Sequence, residues 1–335
     1  MNHRVVFTDV CKVEVQAAEM PTPGPNQMLV RTSKTAISTG TELTMLMSDF
    51  PEGSKWDKMT HYPTGAGYSH VGEVVEIGEQ VRGFEVGDRV ASGASHAAWA
   101  VLEPAQAFRI PDAVTDEVAT LWMLGRIAFN GMRRGGLQMG ESVVVYGLGI
   151  IGQFVCQLAR LDGARPVIGV DVAPLRLDLA RKLGGTDLVI DGAAGDILDR
   201  VSTATRGRMA DCVFEVTGVA DLIPREMDLL RRQGRIVILS SPRGKTEFDF
   251  HDYCNSPSLT IIGAHNGSHP QFETPYNPWT PHRNVELLFD LIAGGEVRLA
   301  ELITHRFHWQ DAPAAYEMLM ADRGEAGAVV LDWEE

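Results

Sequence analysis

The chain has 335 residues, of which 44% are apolar and 22% are charged. These fractions are typical of a folded globular protein and argue against a disordered or fibrous one. At roughly 150 residues per domain, this length predicts about two domains. The formal net charge of −14 makes nucleic acid and anionic lipid surfaces poor partners, because both would be repelled.

The region from Gln27 to about Pro111 contains short β-like runs between turns that are rich in Gly and Pro, so it predicts an irregular, mostly antiparallel β domain. The predicted strands are Met28–Ile37, Val71–Ile77, Arg89–Ser92, Ala98–Leu102 and Ala107–Ile110. The segment Asp49–Thr64 shows no hydrophobic period. It is predicted to be a long loop, either functional or a solvated insertion.

From about Glu117, strands of continuous Val and Ile alternate with helices, which predicts a parallel sheet covered on both faces, a doubly wound α/β domain. The predicted strands are Val143–Tyr146, Val167–Val170, Leu188–Ile190, Cys212–Val216, Arg235–Leu239 and Leu259–Ile262. The predicted helices are Ile150–Leu161, Leu175–Leu183, Asp196–Ala204 and Ala220–Arg231.

The C-terminal part begins with a second long loop, Gly263–Asn284. The predicted elements after it are a helix at Val285–Ala293, a strand at Leu302–Phe307, a helix at Ala312–Met320 and a strand at Ala328–Leu331. This mixed pattern predicts that the tail packs back onto the first region. We therefore expect a β domain at 1–117, a doubly wound α/β domain at 118–262 and, at 263–335, a loop followed by a return to the first domain.

Neither a membrane span nor export is expected. The N-terminus reaches polar residues before any apolar stretch long enough for a secretory signal. The most apolar window, 143–159, is interrupted by glycines and is shorter than the roughly 20 residues that cross a bilayer. The four cysteines are scattered without a C-x-x-C pair, which predicts free thiols in the cytoplasm.

The strand Val143–Tyr146 runs into Gly147, Gly149 and Gly152, which form a G-x-G-x-x-G pattern ahead of a predicted helix. The first glycine allows a tight turn, the second lets the backbone approach a pyrophosphate, and the third lets the helix pack on the strand. Ile150 and Ile151 would lie in the first turn of that helix, where an anion binds. The pattern predicts a dinucleotide site.

Asp171 ends the next predicted strand, at the distance of about 20 residues where an acidic residue binds the ribose hydroxyls. Its charge would repel a 2′-phosphate, so NAD is the expected cofactor, with Val172 beside it. Arg176 could instead reach a phosphate, although an arginine one turn into a helix is often solvated. Asp171 could also cap the helix that starts at Pro174.

The sequence resembles the medium-chain dehydrogenase/reductase family over essentially its whole length. The resemblance rests on the segments 23–30, 72–78, 84–90, 214–218 and 234–239. It implies a GroES-like β domain, a Rossmann domain, and a cofactor site that includes Thr217 and Gly218. The segments 36–42 and 65–72 resemble the subgroup that contains bacteriochlorophyllide a dehydrogenase and alcohol or sugar dehydrogenases. We expect a homo-oligomer, a dimer or tetramer.

The zinc enzymes of this family carry their metal ligands at places where this chain has Thr39, Tyr68, Ser69 and about Met123. Zinc requires thiolate, imidazole or carboxylate donors. The segment Ala91–Glu103 also lacks the cysteines of the family's structural zinc lobe. The resemblance therefore predicts a metal-free enzyme. His70 and His96 could replace the missing ligands, but no acidic or thiolate partner stands at ligand spacing.

Without a metal, another group must polarise the reacting oxygen. Tyr68 stands at a zinc-ligand position and is predicted to do so, unless it is only a buried aromatic residue. By the same resemblance Thr41 is a proton-relay hydroxyl, or a hydroxyl that stabilises a turn. Thr39 and Glu42 are expected near the substrate, Glu42 behind the residues that touch it. His70 would share a strand face with Tyr68 and is an acid/base candidate.

The loop 264–283 is dense in polar and aromatic side chains and follows the last strand of the sheet, where α/β enzymes build ligand sites. His265, Asn266 and Trp279 are therefore predicted to bind a sugar, a polyol or a large planar ring. The alternative is a proline-stiffened loop in a subunit interface.

Together these patterns predict a zinc-independent NAD(H) oxidoreductase that interconverts a secondary alcohol, such as a sugar or polyol, and a ketone. Reduction of enones or quinones by conjugate hydride delivery is a second enzymatic interpretation. A nucleotide-binding protein without turnover is an alternative from another class.

Overall fold

The computed structural model describes residues 1–334, and the chain divides into two compact units. The first unit contains Met1–Met123, Val285–Gly295 and the C-terminal segment from Leu302; the second contains Leu124–Asn284 and Glu296–Glu301. The predicted third segment, 263–335, is therefore shared by the two units, because the loop up to Asn284 stays with the second one.

The first unit is built mainly of β-strands. Its N-terminal strands are β1 (Asn2–Asp9), β2 (Lys12–Ala18), β3 (Met28–Ile37), β4 (Thr64–Gly65), β5 (His70–Ile77), β6 (Arg89–Ser92), β7 (Trp99–Leu102) and β8 (Ala107–Arg109). Its short N-terminal helices are α1 (Thr41–Leu46), α2 (Lys55–Met59) and α3 (Asp116–Ala119).

The second unit alternates strands and helices. Its strands are β9 (Val143–Tyr146), β10 (Val167–Asp171), β11 (Leu188–Asp191), β12 (Ala210–Glu215), β13 (Leu230–Ile238) and β14 (Thr260–Gly263). Its helices are α4 (Trp122–Gly135), α5 (Ile150–Leu161), α6 (Pro174–Leu183), α7 (Ile197–Ala204) and α8 (Ile223–Met227). The remaining elements of the chain are α9 (Pro281–Ala293), β15 (Ile303–His308), α10 (Ala312–Ala321) and β16 (Ala328–Asp332).

The main sheet of the first unit has the order β15-β16-β3-β5-β6-β8, with β7 paired to β3. All its pairs except β15 with β16 are antiparallel, as predicted. The pairing of β16 with β3 confirms that the tail packs back onto the first region. A core that includes Phe7, Leu43 and Tyr316 joins α1, α10 and the N-terminal strands, because each buries its apolar side chains there.

The sheet of the second unit has the order β11-β10-β9-β12-β13-β14 with every pair parallel. The central strands bury both faces; Val143, Val144 and Val145 have no exposed surface. This arrangement confirms the predicted doubly wound α/β fold. The chain order reverses at β9, between β10 and β12, which is where sheets of this kind form ligand sites.

Several predicted elements were wrong. The helix predicted at Ala220–Arg231 ends at Met227, because Leu230 pairs with Ala210 as the start of β13. The loop predicted at Asp49–Thr64 contains the short helix α2. The hairpin β1–β2 and helices α1, α3 and α4 were not predicted. In this hairpin the apolar run is only three residues long, at positions 5 to 7, but pairing with β2 extends it into an eight-residue strand.

The four cysteines are free thiols, as predicted. No helix in the part of the chain that the structure describes combines the length and apolarity needed to span a membrane.

Candidate active site

Three glycines shape the turn between β9 and α5. Gly147 has a φ of +98°, which only glycine adopts readily. A Cβ at Gly152 would lie 1.9 Å from the carbonyl oxygen of Gly147, so the close packing of helix on strand requires glycine here. A Cβ at Gly149 would meet nothing within 4 Å. Gly149, the N-cap residue of α5, thus leaves space beside the first turn of the helix, with Ile150 and Ile151, where an anion such as a pyrophosphate would bind.

Asp171 ends β10 and ties the glycine turn to the next loop. Its Oδ2 accepts a hydrogen bond from the backbone N–H of Leu148 at 2.6 Å. Its Oδ1 accepts from the N–H groups of Val172 at 2.7 Å and Ala173 at 2.9 Å. A carboxylate has roughly four acceptor positions, so about one remains for a ribose hydroxyl. Asp171 therefore organises its own loop and keeps an acceptor for a ligand, but it does not cap α6, whose N-cap residue is Ala173 and has no side-chain cap.

Arg176 lies beside this carboxylate and not on a fully solvated helix face. Its Nη1 is 3.8 Å from Asp171 Oδ2, and its side chain is only 21% exposed. The amide of Gln153 in α5 donates to the Arg176 carbonyl at 2.9 Å, which fixes the start of α6. The guanidinium partly offsets the charge of Asp171.

The loop after β12 is held by Glu215, which the sequence analysis did not identify. Its Oε1 accepts hydrogen bonds from Thr217 N at 2.7 Å, Thr217 Oγ1 at 2.7 Å and Gly218 N at 2.9 Å. The loop lies against the glycine turn. A Cβ added to Gly147 would be only 2.9 Å from the carbonyl carbon of Val216. Thr217 and Gly218 are therefore placed beside the glycine turn by a buried carboxylate.

In the first unit, Tyr68 belongs to a cluster of hydroxyl groups. Its hydroxyl donates to Ser38 Oγ at 2.5 Å and is also hydrogen-bonded to the side chain of Thr41. Burial raises the pKa of Tyr68 to about 12, despite the opposite effect of these two hydrogen bonds. The phenol is therefore protonated at neutral pH and can donate a hydrogen bond.

Glu42 was expected behind the residues that touch the substrate, and the structure buries it. The residue is 2% exposed, and its Oε1 accepts a hydrogen bond from Ser38 N at 2.7 Å. Its Oε2 accepts from the hydroxyl of Tyr316 and lies 3.2 Å from Nε2 of His96. With its oxygens surrounded by protein groups, Glu42 has no surface left for a substrate. It positions Ser38, which in turn contacts Tyr68.

His70 does not fit the acid/base role predicted for it. The side chain has no exposed surface, with Thr32 Oγ1 at 3.0 Å from Nε2 and Ser92 Oγ at 2.9 Å from Nδ1. Burial, and to a lesser extent the nearby His96, lowers the pKa of His70 to about 3. Because β5 begins at His70, Tyr68 lies before the strand, and the shared strand face that we expected does not exist. His70 is therefore a buried histidine with both ring nitrogens hydrogen-bonded inside the protein.

The positions that correspond to zinc ligands do not offer a zinc donor set. Thr39 is partly exposed, the Ser69 hydroxyl donates to the Thr120 carbonyl at 2.5 Å, and Met123 is buried. Within residues 1–334 there is no group of three or more His, Cys, Asp or Glu side chains that could hold a metal ion. A zinc site of the usual composition is therefore not supported by these side chains.

The loop 264–283 lies in the second unit, where α4 holds it. Nδ2 of Asn130 donates to the His265 carbonyl at 2.7 Å and to Ser268 Oγ at 3.0 Å. The His265 ring accepts from the N–H of Gly267 at 3.1 Å, within its own turn. The ring of Trp279 is covered by the guanidinium of Arg133, 3.4 Å from the ring centre. Trp279 thus has a cation partner, and His265 and the partly buried Asn266 lie in one turn of this loop.

The hydrogen-bond partners of Tyr68 and Glu42 include three residues that the sequence did not single out for this role: Ser38, His96 and Tyr316. Ser38 directly follows β3 and stands three positions before Thr41, the first residue of α1, so its nearness to Thr41 in the sequence is the only local signal for its role. Tyr316 lies in α10, and nothing in the local sequence indicates its contact with Glu42.

Comparisons with known proteins agree with this architecture. Residues 24–112 match the family model described as alcohol dehydrogenase GroES-like domain, and residues 151–279 match the one described as zinc-binding dehydrogenase. The L-threonine 3-dehydrogenase of Pseudoalteromonas atlantica is 30% identical to this chain over 94% of its length and 95% of the relative's.

Solved structures share the fold at lower identity. An Escherichia coli oxidoreductase/dehydrogenase of unknown specificity matches with a TM-score of 0.86 and 21% identity, covering 99% of each chain. A Sinorhizobium meliloti protein described as a putative zinc-binding dehydrogenase bound to NADP matches with a TM-score of 0.83 and 23% identity, again over 99% of each chain. This chain therefore belongs to the medium-chain dehydrogenase/reductase family and is an NAD(P)-dependent dehydrogenase of the alcohol dehydrogenase type.

Proposed function

We propose that this dehydrogenase interconverts a secondary alcohol and a ketone without zinc, uses NAD(H), and polarises the reacting oxygen with the hydroxyl of Tyr68. The observation that carries the proposal is the cluster of Tyr68, Ser38 and Thr41 at a place where zinc enzymes of the family have metal ligands. A protonated phenol can supply by hydrogen bonding part of the polarisation that a metal supplies as a Lewis acid.

Bound NAD(H) supplies the hydride chemistry. The contribution of Tyr68 is a hydrogen bond to the substrate oxygen, for which its single O–H turns away from Ser38 and the phenol oxygen accepts from the Ser38 hydroxyl instead. This bond strengthens as negative charge develops on the substrate oxygen during ketone reduction. Ser38 and Thr41 orient the phenol, and their hydroxyls can pass a proton to it or receive one from it. Because the pKa of Tyr68 is raised to about 12 by burial, its protonated form favours the role of donor over that of base.

The preference for NAD(H) rests on Asp171. Its buried carboxylate leaves about one acceptor position, which suits a 2′-hydroxyl and would repel a 2′-phosphate. Arg176, 3.8 Å away, weakens this repulsion without reversing it, because the carboxylate also accepts three backbone hydrogen bonds and so stays in place. We therefore propose that the enzyme prefers NAD(H) but still binds NADP(H) measurably.

The proposed substrate is a hydroxylated molecule such as a sugar, a polyol or a hydroxyl-bearing amino acid. Position 3 of L-threonine, which the name of the curated relative specifies, carries a secondary alcohol, so this amino acid belongs in the test. His265, Asn266 and Trp279 remain proposed substrate residues, as does the partly exposed Thr39. The cytoplasm as location and a homo-oligomeric assembly also remain proposals.

The proposal is tested by following the absorbance of reduced nicotinamide with purified protein. NAD⁺ is offered with L-threonine, 2,3-butanediol and a set of polyols, and NADH is offered with the matching ketones, with enones and with quinones. Turnover of an alcohol and its ketone supports the proposal. Turnover of enones or quinones alone would favour conjugate reduction, and NADH binding without any turnover would favour the non-catalytic alternative.

A further inference from the structure

The second unit contains a cavity whose lining includes Trp279 and other residues of the loop 264–283. Its volume is about 400 Å³, within the range of small-molecule sites. It is formed by the end of α4, the residues just after it and the loop that leads to Asn284. All the residues that line it belong to the second unit.

Three buried polar atoms of the lining residues have no hydrogen-bond partner in the structure. They are Nε of Arg133, Nε2 of His269 and Oδ1 of Asn284. His269 is only 8% exposed and Asn284 has no exposed surface. A buried polar group without a partner costs about 1–3 kcal/mol, so such groups usually mark a missing ligand or water.

The hydrogen bonds of the second polar atom in His269 and in Asn284 show whether each unpartnered atom is a donor or an acceptor. Nδ1 of His269 lies 2.8 Å from the carbonyl oxygen of Asn266, so Nδ1 carries the proton and the unpaired Nε2 is an acceptor. Burial lowers the pKa of His269, which keeps the ring neutral. Nδ2 of Asn284 donates to the Trp279 carbonyl at 3.3 Å, which leaves its Oδ1 as a second acceptor. Both atoms require a donor.

The charge around the cavity is positive. The guanidinium of Arg133 is 3.4 Å and that of Arg283 is 4.6 Å from the ring centre of Trp279. Arg134 also lines the cavity and is held there by a 2.6 Å hydrogen bond from its Nε to the Gly263 carbonyl. The nearby acids are Asp162, which acts on Arg133, and Glu273, 3.8 Å from Arg283. The arginines outnumber them, so an anion is favoured.

We propose that this cavity binds a small organic anion that carries at least one hydroxyl group. Its carboxylate or phosphate pairs with Arg133, and its hydroxyl donates to Nε2 of His269 or Oδ1 of Asn284. A hydroxyl fits these acceptors better than an ammonium group, because the surrounding arginines would repel a cation. The carbon skeleton lies against Met132 and Pro270. The site shares Trp279 with the residues proposed for the substrate, but its test measures binding and not turnover, so the two proposals can fail separately.

The test is isothermal titration calorimetry on the intact protein saturated with NADH, which occupies the nucleotide site. The probes are L-malate and glycerol 3-phosphate, and the matched controls are succinate, which lacks the malate hydroxyl, and glycerol, which lacks the phosphate. None of the four compounds contains a ketone or an enone that NADH could reduce, so no turnover accompanies binding. We expect at least one probe to bind once per chain, and at least about tenfold more tightly than its control.

Arg133→Gln should weaken that binding at least about tenfold, and Arg133→Lys less, because lysine keeps the charge but loses the planar donor set. Arg208→Gln makes the same charge change at an exposed residue outside the cavity and should leave binding unchanged. Thermal melting checks that each variant is folded, and His269→Leu gives a second test if Arg133→Gln is not.

Four results would overturn the proposal. The first three are the absence of binding by both probes, equal binding of probe and control, and binding that survives both Arg133→Gln and His269→Leu in folded protein. A change of oligomeric state in Arg133→Gln with no change in anion binding would instead assign the cavity to a contact with a second copy, and would also overturn it.

Discussion

The hydroxyl of Tyr316 in α10 donates a hydrogen bond to the buried carboxylate of Glu42 in α1, across 274 residues of sequence. The same carboxylate accepts a hydrogen bond from the backbone N–H of Ser38, and the Ser38 hydroxyl accepts one from Tyr68. The C-terminal helix therefore supports the hydroxyl cluster of the proposed active site.

Tyr316→Phe should lower the free energy of unfolding by about 1–3 kcal/mol, because it removes a donor from a buried carboxylate. Urea denaturation measures the change. The double variant Glu42→Gln/Tyr316→Phe serves as the control, since it removes the charge that needs the donor and should lose less than the sum of the two single variants. Additive losses would show that the two groups are not coupled.

Tyr68→Phe should lower kcat about 100-fold or more, because the phenol's hydrogen bond is strongest in the transition state. The affinity for NADH should be unchanged. Thr41→Ala should have a smaller effect, because a water molecule can replace a relay hydroxyl. Steady-state kinetics and NADH titration provide both measurements. An almost unaffected Tyr68→Phe together with an inactive His265→Ala would assign the acid/base role to the histidine instead.

Asp171→Ser should narrow the difference in binding free energy between NAD(H) and NADP(H) by about 1–3 kcal/mol, because it removes the charge that repels the 2′-phosphate. The ratio of the two dissociation constants is the measurement, since the variant also loses hydrogen bonds to its own loop. Arg176→Gln is the matched control and should widen the difference. Tighter binding of NADPH than of NADH by the unmodified protein would refute the preference.

The purified protein should contain no stoichiometric zinc, because Thr39, Tyr68, Ser69 and Met123 stand at the ligand positions. Elemental analysis measures the content, and activity after dialysis against a chelator should be unchanged. About one zinc per chain, with activity that is lost to the chelator, would contradict this prediction.

Glu226 makes the stability of the protein depend on pH. Its side chain has no exposed surface, and neither oxygen has a hydrogen-bond partner. Burial, followed by the charge of Glu215, raises the pKa of Glu226 from 4.5 to about 9. Between these two values the unfolded chain releases a proton that the folded chain retains. The contribution of Glu226 is therefore most favourable below pH 4.5 and is lost as the pH rises towards 9.

As the pH rises through this window, the free energy of unfolding of Glu226→Gln should therefore increase, relative to that of the unmodified protein, by about 1.4 kcal/mol for each pH unit. Urea denaturation at pH 5.5, 7 and 8.5 measures the difference, and Glu226→Met tests whether an apolar side chain of similar size has the same effect. A difference that does not change with pH would show that Glu226 titrates normally in the folded protein.

The sequence alone determined the features that depend on neighbouring residues. The strand Val143–Tyr146, the glycine turn and helix α5 were predicted at their observed bounds, because a buried Val run, three glycines and a helical repeat follow one another directly. The alternation of such units also determined the parallel sheet and, with it, the fold class.

Only the tertiary structure decided the features that depend on distant residues. His70 faces the interior because its two ring nitrogens are hydrogen-bonded to Thr32 and Ser92. Likewise, Oε2 of Glu42 is hydrogen-bonded to His96 and Tyr316. The end of the helix before β13 is set by pairing of Leu230 with Ala210. In each case a hydrogen bond or strand pair between separated segments outweighs the local preference, because a buried polar group must find its partner wherever the fold places one.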